Sequence, residues 1–407
     1  FSGTNASDFS VNSQPTGIIA GGGNTTFSVV FSPASNGARI ALMSIASDDT
    51  DENPYIIYLS GTGTFTGEEL ADGFASSGAT ISSISYLAPR DAGDSIINVG
   101  GDIIILSGAT LYIYEGVTLN MDVHQIFVYG DLVIAGSDAQ RVKLAGTAWG
   151  GFTVGGDAAG SAELSIDGAY LTGFSDSAFY LGTDSSNAAG DVSITNSRIV
   201  ITTANRAAIL LRYTKTGGVY NFNNNIIECN SNYYALDAQS NINSNNVVNM
   251  RYNTIIGKLN GGGSAINSSD GDSSNTYNYE YNLIGTGDVS GFSYGYSQNS
   301  SAPTLNFNNN FVKTDFNYDG TSGGSNFSSV VDNVYESASA DNFTGTWLAS
   351  FVFEDYSNND FRFKQTSTFP SLSQVANKTS MEGCLTRDHA NEIGAYGNGG
   401  YPPLWNE

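Results

Sequence analysis

The residues able to do acid–base chemistry concentrate between positions 212 and 258. Arg212 and Lys215 come first, Glu228 and Asp237 follow, and Arg251 and Lys258 close the stretch. It is the one stretch where both charge signs recur in successive repeats of the sequence. Arg212 or Lys215 could act as the base that removes the proton next to a uronate carboxylate, while Asp237 or Glu228 held Ca²⁺. The same residues also read as solvated charges scattered over a repetitive surface. No paired Asp-Asp motif occurs within the repeat, so the two-carboxylate arrangement of glycoside hydrolysis lacks an evident carrier.

Three other groups could bind a ligand. Tyrosines crowd the middle of the chain, Tyr213, Tyr234 and Tyr252 among them. Exposed in a row they would stack on sugar rings, and turned inward they would fill a core. Asp48, Asp49, Asp51 and Glu52 could offer oxygens to Ca²⁺, although the run lacks the ligand spacing of an EF-hand and suits a turn equally. His124 and His389 are too few for a multi-histidine metal site, and both read as structural. Cys229 and Cys384 form no CxxC pair. They are two buried thiols, or one disulfide tying the C-terminal tail to the body in an oxidising location. No cofactor is expected beyond possible sites for Ca²⁺.

Composition limits the partners. The chain has 407 residues and a net charge of -24, with only 13% of its residues charged. That fraction is about half the usual one, so Asn, Ser, Thr, Tyr and Gly must build most of the polar surface. Nucleic acid is excluded as a partner, because binding it leans on cationic contacts. Anionic membrane surfaces are disfavoured for the same reason. No apolar run reaches the ~18 residues of a spanning helix. The 40% of hydrophobic residues, with 23 Tyr and 22 Phe, can fill a large core. A chain that starts at Phe1 without a leader is expected to be a processed or excised piece. Its composition points to an extracellular or cell-surface location.

The elements that must position these residues are short strands with Gly, Asn and Ser at the corners. Ile103 to Leu119 and Ile126 to Gly136 read this way, and an internal repeat then takes over. Ser165 to Leu171, Ser193 to Ile199, Asn221 to Ile227, Asn249 to Ile255, Asn278 to Ile284 and Asn306 to Val312 are versions of one motif. Anchored on Gly168, Asn196, Asn224, Asn253, Asn282 and Asn309, it steps by 28, 28, 29, 29 and 27 residues. Such a step holds three short strands and three turns. The recurrent Asn suits a left-handed turn, and stacked Asn side chains can hydrogen-bond along the stack. A second row, at Ala178–Leu181, Ala208–Leu211, Ala235–Ala238 and Ala265–Asn267, points alternate residues inward. The pattern predicts a solenoid whose coils bury one continuous core.

Resemblances extend this reading. Thr110-Leu111-Tyr112-Ile113 and Leu132-Val133-Ile134-Ala135-Gly136, then Trp149-Gly150-Gly151-Phe152, resemble the opening coils of secreted right-handed parallel β-helix proteins. Glu392-Ile393-Gly394-Ala395-Tyr396 resembles the ending of the choice-of-anchor Q type, with Glu392 where Asp is usual. At the other end, Phe1 to Phe9, Phe27 to Pro33, Ala46 to Asp49 and Leu59 to Gly63 resemble the immunoglobulin-like domain called choice-of-anchor D. Its first one or two strands are missing, so they lie upstream in a longer precursor or come from a partner by strand addition. The expected layout is a partial immunoglobulin-like β-sandwich over 1–64, a linker over 65–92, and a right-handed parallel β-helix with a C-terminal cap over 93–407.

The resemblance implies a fold more firmly than an activity. Enzymes of this fold act on polysaccharides, and their lyases combine Ca²⁺-binding carboxylates with an Arg or Lys base. Three functions are compatible with the residues. The first is a structural or adhesive module of a larger secreted or cell-surface bacterial protein, contacting polysaccharide or other surface components. The second is a lyase or hydrolase of acidic polysaccharide, and the third a carbohydrate-binding module without turnover.

Overall fold

The structure, a computed structural model, describes residues 1–319 except 3–5, 14–22, 34–36, 47–53, 64–66, 72, 90–94, 137–139, 158, 202–206, 230–233, 258–260, 287–291, 299–302, 309 and 314–315, and beyond them 334–336, 353–355 and 360–363. The chain divides into two units, Phe1–Glu68 and Glu69–Glu407.

The described residues of the second unit form a parallel β-solenoid, with one separate antiparallel pair of Phe353–Asp355 and Asp360–Phe363. Each coil contributes one strand to each of three sheets, and every sheet has ten strands among the described residues. Sheet 1 includes Ile84–Leu87, Thr110–Tyr114, Asp131–Ala135, Ala162–Asp167, Ala189–Thr195, Val219–Asn223, Val247–Arg251, Thr276–Glu280 and Thr304–Asn308. Sheet 2 includes Ser95–Asn98, Val117–Asp122, Val142–Trp149, Ala169–Phe174, Arg198–Ile201, Ile226–Cys229 and Thr254–Gly257. Sheet 3 starts at Ala79–Ile81 and continues through Phe179–Leu181, Ile209–Leu211, Leu236–Ala238, Gly261–Ser268 and Phe292–Gln298. The solenoid thus begins inside the stretch read as a linker: Ala79–Ile81 pairs in parallel with Ile103–Ile105, and Ile84–Leu87 with Thr110–Ile113. Its Gly/Ser richness hid strands that are only three and four residues long.

Strand alternation builds the core. In sheet 1, Ile134, Ile166, Ile194, Phe222, Met250, Tyr279 and Phe307 stack in one inward column. In sheet 3, Phe152, Phe179, Ile209, Leu236, Ile266 and Tyr296 do the same. All are essentially inaccessible to water. Phe152 and Phe179 stack with ring centres 5.0 Å apart. Each such side chain contributes about 1.5–3 kcal/mol of transfer free energy, realised only because a neighbouring coil covers it.

The corner between sheets 1 and 2 corrects the register read from the sequence. Two adjacent positions share the work that was given to one Asn. The first takes the left-handed conformation, with φ of +66° at Gly168, +50° at Asn196, +58° at Asn224, +58° at Tyr252 and +59° at Tyr281. The second points inward and forms a ladder, Ser197, Asn225, Asn253, Asn282 and Asn310. Asn253 and Asn282 therefore belong with Asn225, one residue along from Asn196 and Asn224. Each ladder Asn accepts the backbone N–H of the ladder residue one coil earlier at 2.9–3.0 Å, and donates from Nδ2 to a strand carbonyl in that earlier coil. A second ladder runs up the outer side of sheet 1 through Asn221, Asn249, Asn278 and Asn306, with amide contacts of 2.8–2.9 Å.

Among the described residues the first unit shows two small antiparallel sheets, and no sandwich is confirmed there. Phe9–Ser13 pairs with Ser28–Phe31, and Gly37–Ile45 with Tyr55–Gly63. Ser2 bridges to the backbone of Leu42. Asp8 and Arg39 form a buried ion pair at 2.6 Å between the two sheets. Phe31 packs on Gly61, where a Cβ would come within 2.5 Å of its ring. Two strands per sheet are too few to enclose a core, and Tyr58 and Ile40 stand exposed at 84% and 58%. Among the described residues no helix is long and apolar enough to cross a membrane.

Candidate functional site

Sheet 3 gathers the most versatile set of polar side chains. In Leu236–Ala238, Leu236 and Ala238 point into the core, and alternation turns Asp237 to the other side. Asp237 is nonetheless buried, and its carboxylate accepts hydrogen bonds from Asn267 Nδ2 at 2.7 Å and Gln239 Nε2 at 3.1 Å. Ser297 Oγ then donates to Asn267 Oδ1 at 2.7 Å, extending the row to the next coil. In the preceding coils the same row carries Leu210 and Tyr180. Arg212 follows the strand Ile209–Leu211 and donates from Nη1 to the Tyr180 hydroxyl. Its guanidinium lies 5.8 Å from the Tyr180 ring centre and 5.5 Å from that of Tyr213. Arg212, Tyr213 and Asp237 are thus brought to one side of the solenoid, in adjacent coils. Chemically the set offers two aromatic faces, a guanidinium and an amide–carboxylate row, which suit stacking and hydrogen bonding to a polar ring.

The other candidates are dispersed and engaged. Glu228 lies in sheet 2, where its Oε1 is 2.6 Å from Arg198 Nε, with side chains only 1% and 2% exposed. Arg198 also lies 5.3 Å over the Tyr170 ring. Lys215 Nζ pairs with Asp191 Oδ2 at 2.7 Å, at the corner between sheets 3 and 1. Arg251 Nε pairs with Glu280 Oε2 at 3.1 Å, directly opposite it in the sheet 1 register. Tyr252 is buried at the left-handed corner and stacks on Tyr281, ring centres 4.8 Å apart and 9° from parallel. Tyr234 is half-buried beside sheet 3. His124 Nδ1 sits 3.9 Å from Asp102 Oδ1. Cys229 is a buried free thiol whose pKa is pushed up by desolvation and then by the Glu228 charge. Lys258, Asp48, Asp49, Asp51, Glu52, His389 and Cys384 lie outside the described residues. Among the described residues no three His, Cys, Asp or Glu are grouped to hold a metal.

Sequence reasoning did not single out Arg198, Tyr180 or Gln239. A signal existed for Arg198: it is a charge in a position that reads Ile226 one coil later. Nothing in the local sequence marks Tyr180 or Gln239, because their roles depend on which residue lies one coil away.

Comparison with protein-family models, curated proteins and solved structures finds no match to this chain. What stands is the architecture, an all-β chain with a parallel solenoid and, in the first unit, two small antiparallel sheets among the described residues. The choice-of-anchor and immunoglobulin-like assignments draw no support from a family match.

The tyrosines turned inward make a pH prediction. Burial pushes the phenols of Tyr220, Tyr277 and Tyr279 above the ordinary tyrosine range, and neighbouring oxygens, Asp191 for Tyr220 and Asp270 for the other two, push further. A raised phenol pKa means that the fold holds the neutral form. The stability this carries is complete below the unfolded value of about 10 and is lost as pH rises above it. An alkaline titration is expected to show these tyrosinates emerging together with loss of the β-sheet circular dichroism signal. Their ionisation with the β signal intact would contradict this burial.

Proposed function

We propose that the chain is a structural or adhesive module of a larger extracellular or cell-surface protein, built on a right-handed parallel β-helix. The observation that carries this reading is the engagement of its acid–base residues. Glu228, Lys215 and Arg251 sit on different faces, and each is held in an ion pair with a neighbouring coil. Ion pairs of this kind fix coil register and occupy these three side chains within the stack. The apolar exposed face of the first unit, around Tyr58 and Ile40, supports completion of an immunoglobulin-like sandwich by flanking sequence or by a partner strand.

The decisive assay incubates the protein with acidic polysaccharides in the presence of Ca²⁺. No unsaturated product is expected. Product formation that disappears in Arg212→Ala or Lys215→Ala would overturn the structural reading in favour of a lyase.

A second reading, a carbohydrate-binding face without turnover, is favoured by the Tyr180–Arg212–Tyr213 stack beside Asp237. Under it, glycan-array binding falls at least tenfold in Tyr213→Ala while the thermal midpoint stays within a few degrees. Equal binding by parent and variant would remove this face from consideration.

A further inference from the structure

The outer face of sheet 2 changes character along the solenoid axis. Its strands present two outward columns. One runs Thr118, Lys143, Tyr170, Arg198, Ile226 and Thr254. The other runs Asn120, Ala145, Thr172, Val200, Glu228 and Ile256. In the early coils these columns meet water. Ile96, one coil before Thr118, is 62% exposed, Asn120 is exposed, and Lys143, Tyr170 and Thr172 are half-buried. From Arg198 onward both columns are sealed, with Ile226 and Ile256 only 1% and 2% exposed.

Arg198–Ile201, Ile226–Cys229 and Thr254–Gly257 are therefore buried on both faces. Their sequences carry the same change. A parallel strand covered on both sides reads as a near-continuous apolar run. Ile199-Val200-Ile201, Ile226-Ile227 and Ile255-Ile256 are such runs, whereas Thr118-Leu119-Asn120 alternates. Among the described residues these strands pair only with their neighbours in sheet 2, so no other solenoid strand covers them. The last of them leads to Gly261 of sheet 3 through residues 258–260. Three residues reach about 10 Å, which connects the two sheets and leaves nothing to fold back over Thr254.

We propose that residues 364–407, the C-terminal segment of this chain, dock on the outer face of sheet 2 over these three coils. The last described solenoid strand, Val334–Glu336, belongs to sheet 2, so the chain leaves the stack from this sheet. Phe353–Asp355 and Asp360–Phe363 then pair with each other outside the three solenoid sheets. The sealed area spares the early coils and falls on later ones, as a cover arriving from the C-terminal end does. The segment also has the apolar side chains that such a face requires, among them Phe369, Leu372, Val375, Leu385, Leu404 and Trp405. Docked there, it withdraws these coils of sheet 2 from outside partners and leaves sheets 1 and 3 to meet them.

The full chain with benzoylphenylalanine in place of Tyr170, at the margin of the sealed area, tests this. After irradiation, mass spectrometry is expected to find the analogue joined to a peptide from 364–407 of the same molecule. An adduct only to a second molecule, only to residues 202–206 or 230–233, or to nothing overturns the proposal. Limited trypsin digestion is an independent readout. Lys378 is expected to resist cleavage in the parent and to be cut about tenfold faster when Ile226→Gln and Ile256→Gln are combined, with the β-sheet circular dichroism signal unchanged. Equal rates in parent and variant overturn the proposal as well. If the double variant loses its β signal, the crosslink alone decides.

Discussion

Replacing Glu228 by Ala is expected to cost about 3–5 kcal/mol of stability, measured by urea denaturation. The side chains of Arg198 and Glu228 are almost fully removed from water, and their contact of 2.6 Å is the main compensation for that desolvation. Ala at 228 leaves the guanidinium buried beside Tyr170 and removes its 2.6 Å carboxylate contact. Arg198→Ala strands the carboxylate in the same way and is expected to cost as much. The pair is a diagonal one: Arg198 lies opposite Ile226, and Glu228 opposite Val200. Its geometry therefore depends on the coils keeping their register. The double variant Arg198→Met with Glu228→Leu removes both charges and keeps volume, and it is expected to recover a large part of the single-variant loss. Single variants that lose less than about 1 kcal/mol would place the pair in the class of exposed ion pairs, against the burial described here.

Asn253→Ala is expected to destabilise by about 2–6 kcal/mol, since it strands two buried backbone groups at about 1–3 kcal/mol each. Asn253 Oδ1 accepts from Asn225 N at 2.9 Å, and its Nδ2 donates to Phe222 O at 2.7 Å and to Asn282 Oδ1 at 3.0 Å. With Ala in place, the Asn225 backbone N–H and the Phe222 carbonyl each lose the bond that Asn253 makes to them. Asn249→Ala on the outer ladder is the control. Asn249 is only partly buried, so water replaces its amide bonds and the expected loss stays below about 1 kcal/mol. Asn253→Asp adds a pH signature. A carboxylate at 253 would face the Phe222 carbonyl and the Asn282 oxygen, so the fold favours its protonated form. Its folded pKa then exceeds the unfolded value of about 3.9. Stability is highest below that pH and declines as pH rises through the folded value. Urea midpoints at acidic and neutral pH measure the difference, and equal midpoints would show that Asn253 does not carry the ladder.

The sequence alone determined the parallel solenoid. A motif returning every 28 or so residues, with apolar or aromatic residues alternating along its strands, has no stable use except in stacked coils, because one coil cannot bury its own face.

Tertiary structure decided what depends on distances between coils. The motif Asn223-Asn224-Asn225 cannot tell which Asn turns the corner and which bonds along the stack, since Asn suits both roles; backbone φ separates them. Glu228 and Asp237 are nine residues apart and read as one charged group. The corner between sheets 2 and 3 sends them to different faces, one against Arg198 and the other against Asn267. A strand's own sequence shows which residues share its side. Whether that side meets water, an opposite charge or another amide is set by residues about 28 positions away, and only the folded stack brings those into contact.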